Sequence, residues 1–222
     1  MTQHSALPVH HGLVNVSLGA MQREYIPLLM PGVNDPEVTK GVLVTPPVTL
    51  EEEYMWYDGL AKRKNEVVYA ILLHERDAEG VMTGYRYIGH TGLHRIRYPD
   101  GTATTGSLII DKTCFGKGYG TEAKLLLLAT GFHDLGLRKV NSSIKVFNGN
   151  SHGHLLACGY REIGRRKRQH LHEGWLVDEI LFDVFSEDFG PIWQAYKKTS
   201  TLPRLTAQQR KLVESDAEGE TR

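Results

Sequence analysis

At 222 residues the chain has room for one sizeable core and little for a second. Apolar content of 41% is ordinary for a globular protein, and 26 Lys plus Arg against 26 Asp plus Glu leave no net field to draw nucleic acid or an anionic membrane. Two cysteines, Cys114 and Cys158, exclude a disulfide framework and a C-x-x-C metal pair, and the longest apolar runs, such as 125–129, are too short to span a bilayer. The expectation is a cytoplasmic protein with no signal peptide in Met1–Val14 and no bound metal.

Residues 1–12 are polar, His-rich and non-periodic, which predicts a flexible arm ahead of a domain over 13–186. Val14, Val16 and Leu18 alternate with Asn15 and Ser17, the period of a half-buried strand. Asp35 is placed to cap a helix with Pro36 at its first position. Thr49 caps a second helix, expected to reach about Lys64, with Glu51–Glu53 at the end that the helix dipole makes positive. Strands are expected at 67–74, 85–97 and 104–110, separated by turns at 77–80 and 99–102. A helix over 122–135, stopped by Gly136, precedes a strand at 140–147, a short helix at 151–158 and two strands at 160–169 and 176–185. Residues 187–222 read as a polar C-terminal extension with one helix at 207–215. Strands and helices in this irregular alternation indicate a mixed α/β or α+β sheet.

The chemistry concentrates where the strand ending at Ile110 meets the helix beginning at Glu122. Gly116, Gly118 and Gly120 stand at alternate positions there. Glycine lets main chain approach a ligand closely, and a helix start offers unpaired N–H groups with the positive end of the dipole, together an anion site suited to a diphosphate. Lys117 followed by Gly118 breaks the P-loop pattern, and Thr121 occupies the last glycine position of a dinucleotide fingerprint.

The stretch "TTGSLIIDKTCFGKGYGTEA" (Thr104–Ala123) resembles the fourth strand and motif A of the GNAT acetyltransferases, and Asn148-Gly149-Asn150-Ser151 with Gly159-Tyr160 resembles their motif B. "NDPEVT" (Asn34–Thr39), "TLEEEYMWY" (Thr49–Tyr57), "YIGHTGL" (Tyr87–Leu93) and "EGWLVDEILFDV" (Glu173–Val184) follow in the family's order, and the arrangement is most similar to the branch of ribosomal-protein N-terminal acetyltransferases. The resemblance implies a mostly antiparallel sheet of about seven strands, flanked by helices, with a splay between the fourth and fifth.

It further implies an N-acetyltransferase that carries acetyl from acetyl-CoA to a primary amine by direct attack, as a monomer or homodimer without nucleic-acid or membrane partners. Phe115, Gly116, Lys117, Gly118, Tyr119, Gly120 and Thr121 would hold the coenzyme A diphosphate, with Phe115 replacing the usual Gln or Arg. Main chain of Leu108, Ile109 and Ile110 would pair with the pantetheine, and Asn148 and Ser151 would also touch the coenzyme. Leu155 stands where the family commonly has its acidic tyrosine; Ser151 then becomes the implied thiol donor, while a hydroxyl at a helix start is equally a plain cap. The missing tyrosine leaves a non-catalytic acyl-CoA-binding module as the alternative. His170 falls at the branch's base position, with His90 and His94 as rivals, since a histidine titrates near about 6.5. Glu37 and Asp178 are acceptor-side candidates, each with a structural explanation as well. The run Arg165–Arg168 reads as a solvated strand rather than a nucleic-acid patch.

Overall fold

A computed structural model describes residues 8–42 and 47–218. Eight strands form one sheet in the order β1-β2-β3-β4-β5-β6-β8-β7: β1 (Pro8–His10), β2 (Val16–Ala20), β3 (Val67–Arg76), β4 (Met82–Arg97), β5 (Thr102–Ile109), β6 (Lys139–Lys145), β7 (Arg161–His172) and β8 (Trp175–Phe185). Every pair is antiparallel except β5 with β6. That parallel contact runs only from Thr102 opposite Lys139 to Thr104 opposite Asn141, after which the strands part. The expected mixed sheet and its splay are present, with one strand more than anticipated. The extra strand is β1, in the segment read as an arm; residues 1–7 of that arm lie outside the described residues.

Among the described residues seven α-helices accompany the sheet: α1 (Ile26–Val33), α2 (Pro36–Thr39), α3 (Leu50–Leu60), α4 (Tyr119–Ala129), α5 (Gly149–Ala157), α6 (Ser186–Thr199) and α7 (Ala207–Glu218). The caps read from sequence are in place. Asp35 accepts from the Glu37 N–H at 2.9 Å, and Thr49 and Glu52 close a reciprocal capping box. Helix α3 stops at Leu60 because the chain tightens after Gly59 into two successive i→i+3 bonds, from Lys62 to Gly59 and Arg63 to Leu60. Helix α1 was not anticipated, since Pro27 and Pro31 mask it; Pro27 sits in the first turn, where its missing N–H costs nothing. Helix α6 was also missed in the supposed polar extension, although Phe189, Ile192, Trp193 and Tyr196 follow helical spacing and pack on the main core.

Helix α4 begins three residues earlier than predicted, with Gly118 as N-cap at φ 83°, and passes at Thr130 into a wider turn that ends before Gly136 at φ 66°. Its residues Leu125–Leu128 fill the main core together with Leu18, Ile71, Ile88, Val140 and Ile180. Lys124 is buried among them, and no ion pair or hydrogen bond to its ammonium is found among the described residues. Burial lowers its pKa from 10.5 to about 8. Between pH 8 and 10.5 the unfolded chain therefore holds a proton that the folded protein does not, and stability rises with pH across that window. Lys124→Met is expected to stabilise the protein at pH 7 by about 2 kcal/mol and to abolish that rise. Urea unfolding at several pH values checks both; equal stability of the two proteins at pH 7 would contradict the reading.

Candidate active site

The splay, the glycine loop and the start of α5 enclose one groove of about 950 Å3. Ser107, Leu108 and Ile109 line it from β5, Phe115, Gly116 and Gly118–Thr121 from the loop and α4, and Asn148–Ser151 with His154 from α5. Strand geometry decides which main-chain groups are available. Ile110 N–H already donates to Ile88 O at 2.9 Å, so it faces β4 and cannot serve a ligand in the splay. By the alternation of an antiparallel ladder, Leu108 likewise faces β4, whereas the N–H groups of Ser107 and Ile109 point into the opening. The expected trio thus reduces to Ile109, joined by Ser107.

The loop opens α4 with main-chain N–H groups that the helix itself leaves unused. Gly118 takes the left-handed conformation and caps α4 without a side-chain hydrogen bond. The first in-helix bond from this end is Glu122 N–H to Gly118 O, so the N–H groups of Tyr119, Gly120 and Thr121 have no intrahelical acceptor. Of the predicted loop residues, Lys117 is exposed and stands off the groove lining.

Asn148 and Ser151 line the groove, with their roles distributed differently from the simplest expectation. The helix cap is Asn148, whose side-chain oxygen accepts from Ser151 N–H at 3.1 Å while its amide nitrogen donates to Gly41 O at 3.3 Å. The Ser151 hydroxyl is therefore not the cap, and no hydrogen bond from it is found among the described residues. His154, one turn further, also lines the groove; burial first and Lys124 second hold its pKa at about 3, so its imidazole is neutral. Sequence reading passed over it. Its spacing from Ser151, three residues along a helix, is the signal that puts both on one face. Glu37 reaches the opposite wall, but Lys112 takes its carboxylate at 2.8 Å.

The remaining candidates do not line the groove. His170 lies on β7 with Nε2 3.6 Å from Glu179, and Asp178 holds Lys167 at 2.7 Å and the Arg168 N–H at 2.9 Å, closing a bulge in the β7–β8 hairpin. Each of Arg165, Arg166 and Lys167 is paired with a carboxylate from outside the run. His94 faces Glu66 at 3.6 Å.

The sequence profile described as "Acetyltransferase (GNAT) domain" matches residues 16–161. The chain belongs to the GNAT acetyltransferase family. It is 23% identical over 177 residues to an uncharacterised N-acetyltransferase, p20, of Bacillus licheniformis, covering 78% of this chain and 94% of that one. Its fold is similar to spermidine N-acetyltransferase from Vibrio cholerae, solved in complex with CoA and spermine (TM-score 0.67, 20% identity, 78% of this chain and 97% of the other). It is also similar to a GNAT-family acetyltransferase from Bacillus anthracis (TM-score 0.63, 19% identity, 78% and 96%). This GNAT protein is thus an acetyl-CoA-dependent acyltransferase, and no helix among its described residues is long and apolar enough to cross a membrane.

Across the sheet from α4, α3 of this GNAT domain covers a polar cluster that sequence reading did not assemble. Tyr25 and Tyr87 stack with ring centroids 4.5 Å apart, and their buried hydroxyls find no partner among the described residues. His90 lies 5.3 Å from the Trp56 ring with its Nδ1 equally unpaired, and burial lowers its pKa to about 4, with His94 adding a smaller push in the same direction. Burial raises the Glu53 carboxyl and, together with Glu53, the Tyr87 hydroxyl. No residue of α3 is itself fully buried. The helix stands over these groups rather than sealing them. Both cysteines are buried: burial pushes the Cys158 thiol up to about 12 and raises Cys114 as well, so neither presents a ready thiolate.

Proposed function

We propose that the protein moves an acetyl group from acetyl-CoA directly to a primary amine, with the donor in the groove between β5 and β6 and the acceptor entering under α3. The observation that carries this reading is one continuous groove joining three unpaired amides at the start of α4 to the open edge of β5. Tyr119, Gly120 and Thr121 would receive the diphosphate through main-chain N–H groups, and Ser107 and Ile109 would pair with the pantetheine. The coenzyme supplies an activated acetyl thioester. A β5 N–H would polarise its carbonyl, and Ser151 would protonate the departing thiolate.

On the acceptor side, His90 replaces His170 as the group best placed to take a proton. It is the register partner of Leu108 beside the splay, is uncharged at physiological pH and keeps a free ring nitrogen. Glu53 and the Tyr25 and Tyr87 hydroxyls offer acceptors to an ammonium group inside an aromatic enclosure. Resemblance to the ribosomal-protein branch favours a peptide α-amine, and the spermidine acetyltransferase among the fold relatives favours a polyamine; both belong in one panel. Free-thiol release from acetyl-CoA is expected with at least one of spermidine, a peptide α-amine or an amino sugar, and His90→Ala is expected to lower turnover about a hundredfold while His170→Ala changes it little. Tight coenzyme binding with no thiol release for any amine would leave only the non-catalytic alternative.

A further inference from the structure

The chain continues past the family match, and its last described stretch lies on the donor groove. Helix α7 opens with a reciprocal cap, in which Thr206 N–H donates to the Gln209 side chain at 2.9 Å and Gln209 N–H to the Thr206 hydroxyl at 3.2 Å. It then runs along α5. Val213 is part of the groove lining and packs on Gly149. Leu205 packs on Gly153, Gln209 donates its side-chain amide to Leu156 O at 3.2 Å, and Leu202 sits against the outside of the glycine loop, where a Cβ on Gly118 would come within 2.8 Å of it.

The far end of α7 is fastened by charge. Asp216 accepts from Arg165 at 2.6 Å through Oδ1, and Arg165 also holds Glu162 at 2.8 Å. The other oxygen of Asp216 is buried, makes no hydrogen bond, and lies 3.5 Å from Nδ1 of His152. His152 is fully buried, with both ring nitrogens unpaired and its ring edge-on to Phe182. His152, Glu162 and Asp216 bring ligand-type atoms within 4.8 Å of one another, the spacing of a cation site. The single Arg165 guanidinium holds both Glu162 and Asp216, so the cluster fastens α7 to β7.

We propose that residues 202–216 form a strap that makes the outer wall of the donor groove, fastened by Asp216 between Arg165 and His152, and that the strap retains bound coenzyme A. This rests on the donor-site reading above. Helix α7 lies beyond residue 161, where the family match ends. Leu202, Leu205 and Val213 pack the strap against the main core, and Asp216 fixes its far end.

Coenzyme A binding to the full chain, followed by stopped-flow dissociation, tests the proposal. Asp216→Ala and Val213→Asp are each expected to raise the dissociation rate about tenfold, with little change in the association rate. Unchanged dissociation in both variants overturns the strap while leaving the donor site intact, and failure of the unaltered chain to bind coenzyme A overturns the donor site itself. Should a variant fold poorly, hydrogen exchange of the unaltered chain decides. Amides of 205–216 are expected to gain protection when coenzyme A saturates the protein, and equal exchange with and without it counts against the strap.

Discussion

Gly120→Leu is expected to lower coenzyme A affinity by about a hundredfold, roughly 3 kcal/mol, without loss of stability. Gly120 is the second residue of α4, and a Cβ there would meet Ile109 Cδ1 at 3.6 Å and His154 Nδ1 at 3.9 Å, ordinary contacts that the fold tolerates. The rest of a leucine side chain has only the groove to enter, where it would cover the amides that the diphosphate needs. A leucine in place of glycine also favours the helix by about 0.5–1 kcal/mol, so folding should be unharmed or improved. Gly118→Ala is a poorer test, because its φ of 83° and its closeness to Leu202 make any side chain strain the fold as well. Calorimetric titration with coenzyme A, beside a thermal melt, separates binding from folding. Affinity within about threefold of the unaltered protein would remove the α4 amides as the anchor.

Glu122→Ala should cost about 5 kcal/mol, a large part of the stability of an ordinary domain. Its carboxylate is completely buried and accepts from the N–H groups of Val14, Asn15 and Val16 at 2.9, 2.7 and 3.2 Å, and from the Tyr196 hydroxyl. One side chain of α4 thus ties the entry to β2 and the end of α6 to the centre of the molecule. Removing it orphans four donors in a place that water reaches poorly, and each charge-assisted bond is worth roughly 1.5–3 kcal/mol. Denaturant titration measures the loss. A change below about 1 kcal/mol would mean that these donors find substitutes.

The same residue shows where sequence reading stops. Glu122 looked like any acid at the start of a helix, because nothing local announces that residues 14–16 arrive opposite it. Helix α6 could have been found, since Phe189, Ile192, Trp193 and Tyr196 carry the helical period in plain view; the polar residues between them hid it. His170 was placed by counting back from Gly174 and Asp178, and the count ignored the hairpin's bulge. Arg166 pairs with Glu179 and His170 with Val177, so between these pairs three residues of β7 oppose one of β8, and counting along the chain no longer gives the partner.

Local chemistry alone determined the strands of period two, the caps at Asp35 and Thr49, and the glycine loop opening α4, because each depends on residues a few positions apart. The order of the motifs was enough to identify the family and the splay. Which amides face the splay, which histidine stands near it and what lies over the groove were decided only by the tertiary structure. Those answers depend on pairing register, on bulges and on contacts between segments up to more than a hundred residues apart, as in the bond from Val14 to Glu122. Such relations are set by packing and by the satisfaction of buried polar groups, and no short stretch of the chain contains them.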